Sequence, residues 1–573
     1  MSKTEKTKAI FDNGKMIRLI MLGIAVALSV KYIFVDFGID AEFQISMSYR
    51  LAKGDILFKE MWEPHQMSAF LCAFFIKIYM WLFHTTTGIV LYLQLIGVLL
   101  DAAVAYCFYQ VVNKYLHCSN TAFAMAWVFF IVSPKDVPLP EYANMQVWFS
   151  ALLCVTLFVY YKTEKKRWVI LSALCLCGAI LAYPSCLLLF FGVIYLLLSR
   201  KDKVGSVIFG AVCLLSGSLY LCFIFRQISL SDFVTSIEHM LALETAHSMR
   251  MSDKFIAYLK DAFQIAIFMC MEYIVSCVIV RVLQRKQGDV QGKEARRVFT
   301  DVLFFALVLL FSLFTVFWEG KYTRYSYSLV FVALLLIGTH YRKKLSPDKR
   351  YLYSCGMVLS FLQLLATLSL TNLVLVASIP YLLIAVIVSF LPIAEGIKAI
   401  DCTAASGILK RMLLLGGVLF LTFRNAYIIR PMCGDVSTIL KIAGIVKDGP
   451  AIGVVSEYMG PYMQNESMKE WKQYVQPGDS IYLIGGALDT LGYLYADTVV
   501  AAPSSTCTPG YNESILEYWR RNPDKYPDVI IASCWYGTMN AELEEDSWIV
   551  KWIEEEYQPQ ASVDGKYWRY YFK

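Results

Sequence analysis

Two acidic residues lie just beyond the first long hydrophobic segment of the chain. Asp40 and Glu42 follow the apolar run 16–35 by only a few residues. A carboxylate at the edge of a bilayer is energetically costly unless it is well solvated or has a function. Such a group can act as a general base that removes a proton from a hydroxyl. The alternative interpretation is that both residues are ordinary charges at the start of a helix.

A third acidic residue lies in a short proline-rich segment between two hydrophobic stretches. Glu141 follows Pro138 and Pro140 and precedes Tyr142. The two prolines restrict the backbone of this segment, because each one fixes its own φ angle. If the segment approaches the first loop, Glu141 can supply a second carboxylate for a divalent metal ion or a sugar hydroxyl. Capping of the helix that follows is an equally reasonable role.

Basic and aromatic residues are mixed in the segment 318–325, which contains Lys321 and Arg324. The planar guanidinium of an arginine is well suited to bind phosphate oxygens. His65, which follows the segment 62–64 of the first loop, is a further candidate for binding the same phosphate or a sugar. Interfacial anchoring is the alternative role of the basic and aromatic cluster.

Together these residues provide a base, a second carboxylate and phosphate-binding groups. That set suits transfer of a sugar from a lipid-linked phosphate, because a phosphate leaving group is stabilised by positive charge. Direct attack on the face opposite the leaving group would invert the anomeric centre, as in one-step glycosidases. The sequence identifies neither the sugar nor the acceptor, which could be a protein, a glycan or a lipid.

The composition is that of a protein with many membrane-spanning segments. Of 573 residues, 58% are hydrophobic and only 17% are charged, whereas soluble domains are about 25% charged. The net charge of +6 comes from lysines and arginines in short loops, as expected for cytoplasmic loops. No segment has the basic and aromatic character of a nucleic-acid surface, so no nucleic-acid partner is expected.

About thirteen hydrophobic stretches are long enough to be membrane helices, at roughly 20 residues each. A further apolar run, 67–83, is predicted to lie at the membrane interface, because all strongly basic loops then face the cytoplasm. The N-terminal residues 1–15 are expected inside the cell, and no signal peptide is recognised. The predicted spans are 16–35, 86–111, 119–133, 145–161, 168–182, 184–199, 203–225, 256–281, 299–318, 327–340, 351–370, 373–393 and 409–425.

Residues 16–425 are therefore predicted to form a transmembrane domain whose first external loop is 36–85. An amphipathic helix is expected at 43–53 of this loop and another at 233–243 of a later loop. Residues 426–573 are predicted to form a small extracytoplasmic α/β domain, since short apolar strands alternate with turn residues there. Three cysteines of this region, Cys433, Cys507 and Cys534, could contribute one disulfide, but the sequence does not select the pair. The strands are predicted at 480–484, 498–501 and 529–532, and the helices at 515–521 and 542–555.

The first loop and the order of spans resemble those of GT-C glycosyltransferases. The resemblance is carried by Asp40, by the segment 49–55 (Tyr-Arg-Leu-Ala-Lys-Gly-Asp) and by the segment 62–65 (Trp-Glu-Pro-His). It is closest to bacterial family-39-type enzymes, which are related to protein O-mannosyltransferases and aminoarabinose transferases. The likeness implies that Asp40 is the catalytic base and that the donor is a polyprenyl-phosphate sugar. The eukaryotic mannosyltransferases have an adjacent Asp-Glu pair, whereas one residue separates Asp40 from Glu42 here.

In the same family an acidic residue of the second external loop and basic residues of the outer face contribute to the site. The resemblance therefore implies roles for Glu141, Lys321 and Arg324. It leaves the need for a divalent metal open, with Asp40 and Glu141 as ligands if one binds. Two other functions remain: a multi-spanning transporter or flippase, which should have ionisable groups near the bilayer centre, and a non-catalytic subunit for envelope assembly.

Overall fold

A computed structural model of the chain shows a helical bundle that continues into a small C-terminal region with β-sheets. The structure describes residues 3–134, 137–247, 250–287, 293–317, 325–370, 374–398, 404–429, 437–457, 461–485, 489–505, 514–533 and 548–573. Within this part of the chain the helices up to residue 427 are α1 (Lys3–Phe34), α2 (Ile39–Lys53), α3 (Ala69–Phe83), α4 (Ile89–Leu116), α5 (Ser119–Ile131), α6 (Tyr142–Thr163), α7 (Lys166–Ala182), α8 (Leu188–Leu198), α9 (Lys203–Phe225), α10 (Leu230–His247), α11 (Met251–Gln287), α12 (Lys293–Phe317), α13 (Tyr325–Tyr341), α14 (Pro347–Leu370), α15 (Leu375–Ser378), α16 (Leu383–Lys398) and α17 (Ala404–Tyr427).

Nine helices of the described chain are long and apolar enough to cross a membrane. All but one of them coincide with predicted spans. This confirms that the protein belongs to the predicted class of helical membrane proteins, whereas the predicted number of thirteen spans is not confirmed. The shorter apolar helices Ser119–Ile131 and Pro184–Leu198 also coincide with predicted spans. The nine are Lys15–Phe34, Gln66–Phe83, Ile89–Leu116, Tyr142–Thr163, Lys203–Phe225, Ser252–Leu283, Glu294–Phe317, Pro347–Ser369 and Leu375–Lys398.

The exception is Gln66–Phe83, which contains α3 and was expected at the interface. Both flanks of this helix bond to the C-terminal region: the Trp62 N–H donates to the Pro503 carbonyl (3.0 Å), and the Gly88 N–H donates to the Gly449 carbonyl (3.1 Å). An 18-residue helix is about 27 Å long, so in a bilayer its two ends would lie on opposite sides. The contacts at both ends therefore favour the interfacial position.

The residues of the C-terminal region that the structure describes form three small sheets. Its five-stranded sheet has the order β6-β5-β7-β9-β8, in which β5 runs parallel to β6 and β7, and β9 runs antiparallel to β7 and β8. The strands are β1 (Ile428–Ile429), β2 (Ser437–Thr438), β3 (Ile442–Ile445), β4 (Val455–Glu457), β5 (Ser480–Ile484), β6 (Val499–Val500), β7 (Val529–Ser533), β8 (Ala561–Asp564) and β9 (Trp568–Phe572). The helices are α18 (Pro461–Tyr474), α19 (Gly492–Ala496), α20 (Ser514–Arg521) and α21 (Trp548–Trp552).

The predicted strands and the helix at 515–521 match β5, β6, β7 and α20. The helix predicted at 542–555 is described only from Trp548 onward, and all three cysteines considered for a disulfide lie outside the described residues. The buried apolar strands β5 and β7 are central, as expected for parallel strands covered on both faces.

Three helices outside the predicted spans pack against the C-terminal region or against one another. Two of them, α2 and α3, belong to the first loop, and the third, α10, is the amphipathic helix predicted in the later loop. The apolar side of α10 packs on the first loop, where Phe233 lies 4.8 Å from Phe58 between ring centroids. Arg521 of the C-terminal region forms an ion pair with Asp232 at the start of α10 (3.0 Å). The first loop, α10 and the C-terminal region thus gather on one side of the bundle.

Candidate active site

Asp40 lies in the first turn of α2, at the junction between the first loop and the membrane helices. The helix starts after Gly38, whose backbone is extended. The Asp40 side chain is half-buried, and its carboxylate accepts a hydrogen bond from the Tyr142 hydroxyl (3.0 Å). Asp40, the base predicted from the sequence, is thus held at the N-terminal end of α6.

Glu141 is brought to the same place, because it immediately precedes Tyr142. It is buried, with 1% of its surface exposed, and its carboxylate lies near the thiol of Cys72 on α3. The Tyr142 hydroxyl lies within electrostatic range of both Asp40 and Glu141. The structure therefore places the two predicted carboxylates around one tyrosine.

The proline-rich segment before α6 is fixed by Asn144. The Asn144 side-chain amide donates to the carbonyls of Val137 (2.7 Å) and Leu139 (3.0 Å), and its oxygen accepts from the Ser133 hydroxyl (2.7 Å). The segment also passes close to α4 at Gly97, where a Cβ atom would collide with the Pro138 carbonyl. These contacts hold Glu141 at the start of α6.

His65 joins the site through ring stacking. Its imidazole lies 4.3 Å from the Tyr142 ring, with 9° between the planes, and 5.1 Å from the Tyr183 ring. Offset-stacked rings at these separations stabilise one another. The first loop is thereby joined to the N-terminal end of α6 and the C-terminal end of α7, close to Asp40.

Polar contacts between α2 and α3 support this arrangement from the side of the first loop. The side-chain oxygen of Gln44 accepts a hydrogen bond from Ser68 (2.8 Å), and its nitrogen donates to Ser48 (3.1 Å). The same oxygen accepts from the Tyr142 backbone N–H (3.4 Å). Gln44 thus links the helix that carries Asp40 to the first residue of α6.

Glu42 points in a different direction from Asp40. Two residues along a helix are separated by about 200° of rotation, and the fully buried Glu42 carboxylate accepts a hydrogen bond from the Leu491 N–H of the C-terminal region (3.0 Å). Burial raises the pKa of Glu42 well above its usual value. The structure thus separates Glu42 from the other predicted site residues. Lys321 and Arg324 lie outside the described residues.

A metal site is not evident in the described part of the chain. Among those residues no group of three or more His, Cys, Asp and Glu side chains could hold a metal ion. Asp40 and Glu141 supply only two carboxylates, so their role as metal ligands stays a prediction.

Most of the remaining motif residues of the first loop attach it to the C-terminal region. Arg50 and Lys525 both bind the Asp55 carboxylate, at 2.8 and 2.6 Å, and Arg50 lies 3.9 Å from Glu63. Glu63 accepts a hydrogen bond from the Ser505 N–H (3.1 Å). All four charged residues are at most 9% exposed. We refer to Arg50, Asp55, Glu63 and Lys525 as the buried charge cluster.

The buried charge cluster should make the attachment of the C-terminal region sensitive to pH. Burial raises the pKa of Glu63 to about 7, although Arg50 and the Ser505 N–H act in the opposite direction. The folded state therefore binds the proton of the Glu63 carboxyl group more tightly than the unfolded state does. The stability gained from protonated Glu63 is fully present below pH 4.5 and is lost as the pH rises through about 7. The loss is on the order of 3 kcal/mol.

We therefore expect Glu63→Gln, which stays neutral, to flatten the fall in stability between pH 5 and pH 8. Hydrogen exchange of the Ser505 amide and thermal unfolding, each at pH 5 and at pH 8, would measure this change in stability. Some dependence should remain, because burial also raises the pKa of Asp489 to about 7. Equal slopes for the wild type and the variant would mean that Glu63 does not titrate in this range.

Sequence reasoning did not assign roles to Tyr142 or Asn144. Tyr142 was recognised only as the neighbour of Glu141, although a tyrosine at the first turn of an apolar helix places its hydroxyl at the membrane boundary. Asn144 directly precedes the predicted span 145–161 and belongs to no sequence motif that would indicate a role. Its role depends on the path of the preceding loop, which local sequence does not reveal.

Comparisons with known proteins gave one kind of match. No protein-family model matches the chain, and no curated protein does. Among solved structures that match is the archaeal oligosaccharyltransferase AglB from Archaeoglobus fulgidus, in complex with an inhibitory peptide and a dolichol-phosphate. The two are 12% identical, the alignment covers 91% of this chain and 69% of AglB, and the TM-score is 0.42.

Proposed function

We propose that the protein is a membrane glycosyltransferase that moves a sugar from a polyprenyl-phosphate donor to a hydroxyl of an acceptor. The observation that carries the proposal is the position of Asp40, half-buried at the N-terminal end of α6 and bound to the Tyr142 hydroxyl at 3.0 Å. His65 and Glu141 contact or flank the same tyrosine. This arrangement supports the general-base role that the first-loop resemblance implies for Asp40.

In the proposed reaction the Asp40 carboxylate removes the proton of the acceptor hydroxyl as its oxygen attacks the anomeric carbon. The new glycosidic C–O bond forms while the bond from that carbon to the phosphate oxygen breaks, and polyprenyl phosphate leaves with the bonding electrons. A single displacement of this kind inverts the anomeric centre. In this proposal Glu141 and His65 bind sugar hydroxyls, and the Tyr142 hydroxyl holds the Asp40 carboxylate in its orientation.

The leaving phosphate needs a cation, and we propose Lys321 and Arg324 for this role. Both belong to the basic and aromatic segment at the predicted outer interface. In the proposed topology the site faces the outside of the cell membrane, and the C-terminal region is extracytoplasmic. The placement of the first loop, the α6 approach and the C-terminal region on one side of the bundle supports this topology.

The reaction class is tested with purified protein in detergent and a panel of undecaprenyl-phosphate sugars. Transfer of label to an acceptor, or release of sugar to water, by the wild type and not by Asp40→Asn would support the proposal. If every donor remains unchanged in the presence of folded protein, the proposal is wrong, and solute flux in liposomes would then test the transporter interpretation.

Arg324→Ala should weaken the affinity for the donor by about tenfold to a hundredfold, because a charge-assisted hydrogen bond to phosphate contributes about 1.5–3 kcal/mol. The dissociation constants of undecaprenyl phosphate and of a sugar-linked donor should change together, since the phosphate is common to both. Arg569→Ala, at an exposed ion pair on the C-terminal sheet, is the control and should leave both constants unchanged. An unaltered donor affinity in Arg324→Ala would remove this residue from the site.

A further inference from the structure

Polar side chains continue from the proposed active site into the helical bundle along one face of α6. Tyr142, Gln146 and Ser150 recur every four residues, so they lie on the same side of the helix. Gln146 and Ser150 are fully buried. Since Tyr142 at the top of this row binds Asp40, the row leads directly from the proposed base into the protein interior.

The helix α14 and the turn between α7 and α8 contribute to the same buried polar group. The side-chain oxygen of Gln146 accepts hydrogen bonds from the Thr367 hydroxyl on α14 (3.3 Å) and from the Cys186 thiol between α7 and α8 (3.7 Å). Gln363 lies one turn before Thr367 on α14, and its side chain is fully buried. We refer to Gln146, Ser150, Gln363 and Thr367 as the glutamine cluster.

Several hydrogen-bonding atoms of the glutamine cluster have no partner among the residues that the structure describes. They are the amide nitrogen of Gln146, the hydroxyl of Ser150, and both the nitrogen and the oxygen of the Gln363 amide. A buried polar group without a hydrogen-bond partner destabilises the folded protein. A set of such groups beside a proposed active site is the arrangement expected of a binding site that is stabilised when its ligand arrives.

The chemistry of the glutamine cluster identifies the ligand class. Amides and hydroxyls can both donate and accept, and the cluster leaves donors and an acceptor without partners; sugar hydroxyls satisfy both kinds, whereas an ionised phosphate only accepts and an ammonium group only donates. We propose that Gln146 and Gln363 bind the hydroxyls of a neutral sugar held next to Asp40. This inference rests on the proposed function and deepens it, because it specifies an uncharged sugar as the group recognised.

The experiment compares two variants of α14. Gln363→Met removes the amide and nearly keeps the side-chain volume, whereas Ser360→Ala, one turn earlier, removes a hydroxyl that accepts the Ala385 N–H (2.9 Å). Because the Gln363 amide has no partner in the described chain, Gln363→Met should raise the unfolding midpoint of the ligand-free protein by about 1–3 °C. Ser360→Ala should lower the midpoint, because it leaves a backbone N–H without its acceptor.

Binding is measured with undecaprenyl-phosphate glucose and mannose, with undecaprenyl phosphate alone, and with the free hexoses by thermal shift. In Gln363→Met the affinity for the sugar-linked lipids should fall by about tenfold, the affinity for undecaprenyl phosphate should stay unchanged, and protection by free hexose should disappear. If the donor constants stay unchanged and the KM of a sugar-bearing acceptor rises instead, the sugar bound by the cluster belongs to the acceptor.

Either of two results overturns the inference: a fall in the unfolding midpoint of Gln363→Met, or equal affinities of this variant and the wild type for every sugar probe. Failure of the proposed function can be told apart from these results. Wild-type protein that is protected by free hexose but transfers no sugar would contradict the transferase proposal and leave the glutamine cluster as a sugar site.

Discussion

Asp40→Asn should reduce sugar transfer by about 10²–10⁴-fold, the usual contribution of a general base. Asparagine preserves the shape of the side chain and can still accept the hydrogen bond from Tyr142, which is 3.0 Å from the carboxylate in the wild type. It cannot take a proton from the acceptor hydroxyl. The expected result is a loss in kcat with little change in the dissociation constant of the donor, measured by single-turnover transfer and by equilibrium binding.

Asp497→Asn is a matched control for Asp40→Asn. The Asp497 carboxylate also accepts a hydrogen bond from a tyrosine hydroxyl, that of Tyr49 (2.6 Å), but this contact lies on the side of α2 that faces the C-terminal region. The control should retain most of the transfer activity. Comparable rates for Asp40→Asn and Asp497→Asn would exclude Asp40 as the base.

The two sides of α2 explain why the first loop gave so strong a signal in the sequence. Glu42, Ser46, Tyr49 and Arg50 have the spacing of one helical face, and all four contact the C-terminal region. Asp40 and Gln44 are also one turn apart and face Tyr142 of α6. One helix therefore carries two polar faces, one for attachment and one for the proposed chemistry. The sequence alone combines these two faces of α2 into one functional signal.

The positions of many apolar helices and of the strands β5, β6 and β7 were predicted from the sequence, because apolar periodicity and turn residues act over short distances. The helix predicted at 43–53 is α2, and Gly54 ends it in the left-handed conformation (φ 116°) that glycine adopts readily. The strand at 480–484 is β5. Local signals of this kind are sufficient to place elements along the chain.

The buried charge cluster and the glutamine cluster could not be predicted in this way. Asp55 and Lys525 are 470 positions apart, and Gln146 and Thr367 are 221 positions apart. No periodicity links residues at such separations. The side of α2 that faces the proposed active site also depends on how α3 and the C-terminal region pack around it. The sequence therefore groups Glu42 with Asp40 as a candidate carboxylate of the site and leaves its role open, whereas in the structure Glu42 contacts the C-terminal region.

The attachment of the C-terminal region should depend strongly on the charge of Asp55. In Asp55→Asn the Arg50 and Lys525 side chains, 2% and 9% exposed, would lose the carboxylate that both bind. Breaking a buried ion pair in this way costs about 3–5 kcal/mol, because an uncompensated charge stays in the interior. We expect a lower unfolding midpoint and faster proteolysis and hydrogen exchange between residues 499 and 533.

Asp564→Asn on the C-terminal sheet separates the effect of burial from that of the substitution. It breaks the ion pair with Arg569, in which both partners are about half exposed or more (48% and 65%), and exposed pairs contribute about 0–1 kcal/mol. The two variants make the same chemical change beside the same kind of cation. Since α2 carries both Asp40 and Arg50, Asp55→Asn should also lower transfer activity through a displaced Asp40. If Asp55→Asn lost no more stability than Asp564→Asn, the buried charge cluster would not be what attaches the C-terminal region to the first loop.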